Sequence, residues 1–132
     1  MTPSEPTGVL LDTSVLIDLL HHRKQPAALV RDLTMRGYRL ATSCVNVAEL
    51  HAGMRKGEEA ATEELLSGME CLPITQKIAI KAGDIKASRR LIGKTHSLDD
   101  MMIAATAIEY SYTLLTDNRK DFEIPGLDLF PA

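Results

Sequence analysis

Short apolar runs recur along this chain, each followed by a segment with helical spacing, and that alternation limits the folds open to it. Val9-Leu10-Leu11 leads into Asp12-Thr13-Ser14, so 8–14 reads as a buried strand ending in turn-forming residues. Residues 38–43 read as a second strand, 70–74 as a short third and 112–116 as a fourth, with 127–130 closing the chain as a last strand. Residues 15–21 have helical spacing, and Pro26 restarts a helix that runs to about Met35, before Gly37. Val45, Ala48, Glu49 and Ala52 share the inward face of a helix reaching about Arg55. A Glu-rich helix follows at 58–68. Ile78, Ala82, Ile85 and Ile92 then mark a long amphipathic helix over 75–93, and 99–110 is apolar on almost every side. Strands alternating with helices predict an α/β sandwich with a mainly parallel central sheet flanked by helices.

The chain has 132 residues, one domain's worth. Residues 1–7 are polar with two prolines and read as a flexible lead-in, which leaves 8–132 as a single domain. No apolar run reaches the roughly 18–20 residues that cross a bilayer. The N-terminus lacks a basic region followed by an apolar one, so no secretory signal is expected and a cytoplasmic protein is. Cys44 and Cys71 stand apart, without the spacing of a zinc site or a disulfide framework, and read as small buried apolar residues. The histidines show no metalloprotease spacing and read as surface residues.

Carboxylates stand where a carboxylate is costly. Asp12 closes the first strand, at the end of a parallel sheet where ligands bind, although Asp before Thr-Ser-Val also suits a helix cap. Glu49 lies on the inward face of its helix, where an ionised side chain needs a cation, a donor or a proton; the alternative is a Glu that swings to the rim. Asp100 opens the most apolar helix, and Ser97-Leu98-Asp99-Asp100 fits a capping box. One acid can fill that role, and two are present. Asp117 and Asp121 follow the fourth strand, where turn chemistry alone would accommodate Asp and Asn. Each acid has a dull explanation by itself, but a parallel sheet would bring all of them to one edge. Clustered carboxylates raise one another's pKa unless a hard cation neutralises them, and oxygen-only ligands select Mg²⁺ or Mn²⁺. Such an ion can activate water against a phosphodiester. The pattern therefore reaches metal-dependent phosphodiester hydrolysis.

Four motifs then carry a resemblance. Leu10-Leu11-Asp12-Thr13-Ser14, Val47-Ala48-Glu49-Leu50, Asp100-Met101-Met102-Ile103-Ala104-Ala105 and Leu115-Thr116-Asp117-Asn118-Arg119-Lys120-Asp121-Phe122 occur in that order, followed by Ile124-Pro125-Gly126-Leu127. Over residues 8–130 the chain resembles the PIN-domain ribonucleases, specifically the VapC-type toxins of bacterial and archaeal toxin–antitoxin pairs. The resemblance implies a PIN-like three-layer sandwich and an endoribonuclease dependent on Mg²⁺, for which Mn²⁺ can substitute. Asp12 and Asp100 would be the metal ligands, with Glu49 completing an acidic triad. Asp100 rather than Asp99 matches, because the family's acid lies three residues before Ile-Ala-Ala. Asp121 or Asp117 would supply a fourth acid, with Asp121 favoured because it precedes Phe122, and Asn118 at the inner polar position. Thr13, Ser14 and Thr116 would orient ligands or water. The family further implies an RNA substrate such as transfer or ribosomal RNA, a VapB-like antitoxin, and a homodimer that joins it as a dimer of heterodimers.

Other phosphate chemistries fail on inspection. Gly93-Lys94-Thr95 looks like the tail of a P-loop, but Ser88 stands where the first glycine is required and no strand precedes it. A haloacid-dehalogenase-type phosphatase needs a second Asp where Ser14 stands, and a phospho-receiver needs paired acids after its first strand. The competing readings are a PIN-fold module that binds RNA or protein without cutting, and a DNA nuclease of the same fold. The formal net charge of −3 argues mildly against nucleic acid as a partner. It is unevenly spread, however: 21–56 and 77–96 are basic, and the acidity owes much to the four carboxylates of the expected site. Lys77, Lys81, Lys86, Arg89, Arg90 and Lys94 are candidates to hold RNA phosphates, against the alternative of a solvated helix face.

Overall fold

A strand with no solvent-facing side must be apolar on both faces. Gly8–Leu11 is such a strand (β1), with all four residues buried. The computed structural model describes residues 8–131, and the expected lead-in at 1–7 lies outside them. After β1 come α1 (Thr13–Leu20), α2 (Lys24–Met35), β2 (Arg39–Ser43), α3 (Cys44–Ala52) and α4 (Glu59–Ser67). Then follow β3 (Glu70–Leu72), α5 (Gln76–Leu91), α6 (Leu98–Tyr110), β4 (Thr113–Leu115) and a 3₁₀ turn at Arg119–Phe122. The strands stand in the order β3-β2-β1-β4 and every pairing is parallel. Val9 lies opposite Leu40 and Thr113, and Leu10 opposite Ala41 and Leu114.

Alternate residues of β1 feed two cores. Leu10 packs on one face with Ile78 and Ala82 of α5 and Ile103, Ala104 and Ala107 of α6. Val9 and Leu11 pack on the other with Val15 and Leu16 of α1, Leu33 of α2 and Leu50 of α3. Helices therefore cover both faces, which is the expected three-layer sandwich. Because every strand runs the same way, the C-terminal ends of β1, β2 and β4 open on one edge.

Several expectations change in detail. Residues 127–130 do not form a full strand. They meet β4 through one parallel bridge, Leu114 to Leu129, and Pro131 offers no N–H to extend it. The buried face of α3 is Asn46 and Leu50, four residues apart, which turns Glu49 to the half-buried rim and leaves Ala48 and Ala52 exposed. Ile92 falls past the end of α5 and is exposed, so the buried stripe there stops at Ile85. His21 and His96 are half-buried rather than on the surface. Cys44 and Cys71 are exposed, because β3 is the sheet's edge and Cys44 lies just beyond the end of β2.

Gly8 owes its identity to a close approach. The ring of Tyr112, whose hydroxyl donates to Glu70 Oε1 at 2.6 Å, lies so near that a Cβ on Gly8 would fall 2.2 Å from it. Gly8→Ala should therefore destabilise the fold by about 1–3 kcal/mol, read as a lower denaturation midpoint with an unchanged helical circular-dichroism spectrum.

Candidate active site

Asp12 ends β1 and occupies the N-cap position of α1, but its carboxylate caps nothing. It is only 5% exposed and is turned instead onto side chains from α1, α3 and the loop after β4. Oδ2 accepts from Thr116 Oγ1 at 2.7 Å and, at the outer limit, from Ser14 Oγ at 3.5 Å; Oδ1 accepts from Asn46 Nδ2 at 3.3 Å. Among the described residues no ion pair reaches Asp12. A carboxylate held only by neutral donors has no neighbouring cation competing for its oxygens.

Asn46 is the residue that sequence reading missed. It is fully buried, and it forms a reciprocal capping box with Ser43 at the start of α3. Its Oδ1 accepts from the Ser43 amide at 3.2 Å and from the Ser43 hydroxyl at 2.6 Å. Its Nδ2 donates to Asp12 and, at 3.0 Å, to Thr13 Oγ1. Thr13 in turn donates to Glu49 Oε1 at 2.6 Å. One amide thus positions two acids, Asp12 directly and Glu49 through Thr13. The available signal was Ser43-x-x-Asn46, a cap spacing directly after a strand and ending three residues before Glu49.

Asp100 is the third residue of α6, where its amide donates to the Ser97 hydroxyl at 3.1 Å. That first-turn geometry points Asp99 to solvent and leaves Asp100 half-buried. Burial pushes the Asp100 carboxyl up to about 6, the Ser97 hydroxyl opposes the rise, and the charges of Asp12, Asp121 and Glu49 add to it. Four carboxylates from four separate segments therefore converge. Asp121, exposed in the 3₁₀ turn, belongs to this group. Asp117 faces another neighbour: a hydrogen bond with Asp18, burial and the charges of Asp18 and Asp12 push it up to about 6, with Arg23 opposing. It lines a cleft of about 520 Å³ between α1 and α2, where the Asp12 charge also reaches it. The Asp117 amide donates to Ser14 Oγ, which ties the loop after β4 to the first turn of α1, while the Asn118 amide donates to Thr116 Oγ1 within that loop.

The donor set around Asp12 and Asp100 is oxygen-only, which fits a hard divalent cation of the Mg²⁺ or Mn²⁺ kind. Among the described residues, no three His, Cys, Asp or Glu side chains are drawn into a closed ligand cage. The raised Asp100 value has a pH consequence. Between its ordinary value and about 6 the folded metal-free protein binds more protons than the unfolded chain, so its stability falls as pH rises through that window. Mn²⁺ should restore the stability above pH 6 and lose its grip below it, which thermal unfolding at pH 5 and 7.5 with and without the ion would measure.

The six basic candidates divide. Lys77 pairs with Glu109 at 2.7 Å, and Lys86 donates to the His96 carbonyl. Arg89 ties the His96 ring at 3.3 Å to the Glu123 carbonyl at 3.0 Å, bracing the segment before Asp100 against the segment after Asp121. Among the described residues, no ion pair or side-chain hydrogen bond engages Lys81, Arg90 or Lys94.

The PIN domain family profile matches residues 9–125, which spans all four acids and both connecting loops. The chain belongs to the PIN-domain family. Among relatives, Ribonuclease VapC10 of Mycobacterium tuberculosis is 37% identical, over 89% of this chain and 96% of that protein. Ribonuclease VapC19 of the same organism is 35% identical, over 86% of this chain and 90% of its own length. The solved DNA-bound VapBC from Salmonella typhimurium has a chain that superposes with a TM-score of 0.82 at 26% identity, covering 93% of this chain and 96% of that one. In this PIN domain no helix among the described residues is long and apolar enough to cross a membrane.

Proposed function

We propose that this PIN domain is the endoribonuclease toxin of a toxin–antitoxin pair, acting in the cytoplasm with Mg²⁺, for which Mn²⁺ can substitute. The observation that carries this reading is the convergence of Asp12, Glu49 and Asp121 on the half-buried Asp100. Asp12 and Asp100 are the residues to hold the ion. An ion bound there would supply Lewis acidity toward a phosphodiester and offset the charge that builds up during hydrolysis. The protein's own groups do the rest. Asn46 and Thr116 fix Asp12, Thr13 aims Glu49, and Glu49 or Asp121 accepts the proton of an attacking water. Structured RNA, transfer or ribosomal, is the proposed substrate, with Lys81, Arg90 and Lys94 left to meet its phosphates. The likeness to VapBC supports a VapB-like antitoxin as partner. A homodimer that binds it as a dimer of heterodimers is the assembly proposed with it.

The test is cleavage of transfer and ribosomal RNA by the purified protein with Mg²⁺ or Mn²⁺, with chelator and with a DNA control. Cleavage of RNA that stops with chelator is the expected result. Equal cleavage without metal overturns the mechanism. RNA bound but uncut makes the chain a binding module, and equal cutting of DNA makes it a general nuclease.

A further inference from the structure

The chain has two cysteines, separated by 27 positions, and the sheet brings them together. In the β2–β3 pairing Thr42 lies opposite Cys71 and Ser43 opposite Leu72, so Cys44 stands just past the end of the ladder beside its partner strand. The two Sγ atoms are 3.8 Å apart and both residues are exposed. We propose that Cys44 and Cys71 form a modification site, a thiol pair that hydrogen peroxide converts into an intramolecular disulfide.

Geometry, reactivity and access all favour that outcome. A disulfide needs the sulfurs at about 2.05 Å, so an approach of roughly 2 Å closes the bond. The two thiols are not equivalent. Cys44 opens α3 and Cys71 lies on the edge strand β3, where burial and then the Cys44 neighbour push the Cys71 thiol up. Cys44 is therefore the attacking sulfur and Cys71 the resolving one. The Cys44 thiolate attacks one peroxide oxygen, breaking the O–O bond to give a sulfenic acid and hydroxide. The Cys71 thiolate then displaces the second hydroxide from the sulfenyl sulfur, forming the S–S bond. The two thiol protons convert both hydroxides to water, so two thiols are oxidised by two electrons as one peroxide is reduced. With no third cysteine in the chain, intramolecular reshuffling has no other partner.

The cross-link would close a loop that holds α3 and α4 and would fasten the first turn of α3 to the sheet's edge. That turn carries Ser43 and Asn46, which position Asp12, so the modification lies one helical turn from the acidic site without using any of its acids. Removing loop entropy from the unfolded chain raises thermal stability.

The experiment uses the full-length reduced protein and hydrogen peroxide. The expected product has lost both thiols together, is lighter by about 2 Da, yields a Cys44–Cys71 linked peptide, and melts about 5–10 °C higher until a reductant reverses the change. Cys71→Ser should stop the reaction at a Cys44 sulfenic acid that a dione reagent traps. Cys44→Ser should leave Cys71 reacting far more slowly. Two outcomes overturn the proposal: thiols lost at unrelated rates with mass gains instead of a loss, or a cross-linked dimer as the main wild-type product.

Discussion

Asp100→Asn should lower metal-dependent RNA cleavage by about a hundredfold or more, several kcal/mol of transition-state stabilisation, while Asp99→Asn leaves most of it. The two acids are adjacent, and the contrast between them separates a site from a charged helix end. Asp99 is exposed in the first turn of α6, where a negative charge stabilises the helix by only about 0.3–1 kcal/mol. Asp100 shares its space with Asp12, Asp121 and Glu49, and burial already strains its ionised form. Its neutralisation should also raise the stability of the metal-free protein near neutral pH, because one of four mutually repelling charges is gone. The same variant should lose the stabilisation that Mn²⁺ gives the wild type. Activity lost with that stability gain identifies a cation ligand. Activity lost with stability lost as well would instead mark a structural residue, and activity lost in Asp99→Asn alone would reverse the assignment.

The second large effect belongs to Asn46. Asn46→Ala should destabilise the protein by about 2–4 kcal/mol, combining a lost helix cap with buried Ser43 and Asp12 groups left without their partner. It should also weaken Mn²⁺ affinity or activity by about 10–100-fold, the usual consequence of removing a side chain that orients a metal-binding carboxylate. Asn46 touches no substrate atom in this account and acts through Asp12 and Thr13. Asn46→Ser keeps a hydroxyl able to donate toward Asp12 and should recover part of the metal affinity before it recovers stability. A stability loss with unchanged metal response would reduce Asn46 to a helix cap.

Much of the architecture was legible in the chain. Val9-Leu10-Leu11 and Leu114-Leu115 are apolar on consecutive residues, which only a strand covered on both faces tolerates, and helix-length spacers between such runs require parallel pairing. The acids at the strand ends and the order of the four motifs pointed to the same family that the profile match establishes. The last strand was over-read, since a run of apolar residues does not report how many backbone partners are left at the edge. The face of α3 was misjudged for a related reason. Apolar spacing selected Val45, which does pack against the core, but also Ala48 and Ala52, which are exposed, and it passed over the buried polar residue Asn46.

What the sequence by itself determined is each residue's place along its own element: a buried parallel sheet, helices on both faces, and carboxylates at the ends of the strands. Periodicity carries that information because a side chain's direction follows from its own backbone. Tertiary structure alone decided which groups meet. Thr116 bonds Asp12 from 104 positions away, Asn46 from 34, and Cys44 reaches Cys71 across a strand pairing that no local pattern encodes. It also gave the two loop acids different surroundings: the charge of Asp121 reaches Asp100, while Asp117 meets Asp18 and feels Asp12. Charge acts through distance in space, and that distance exists only once the four strands are in register.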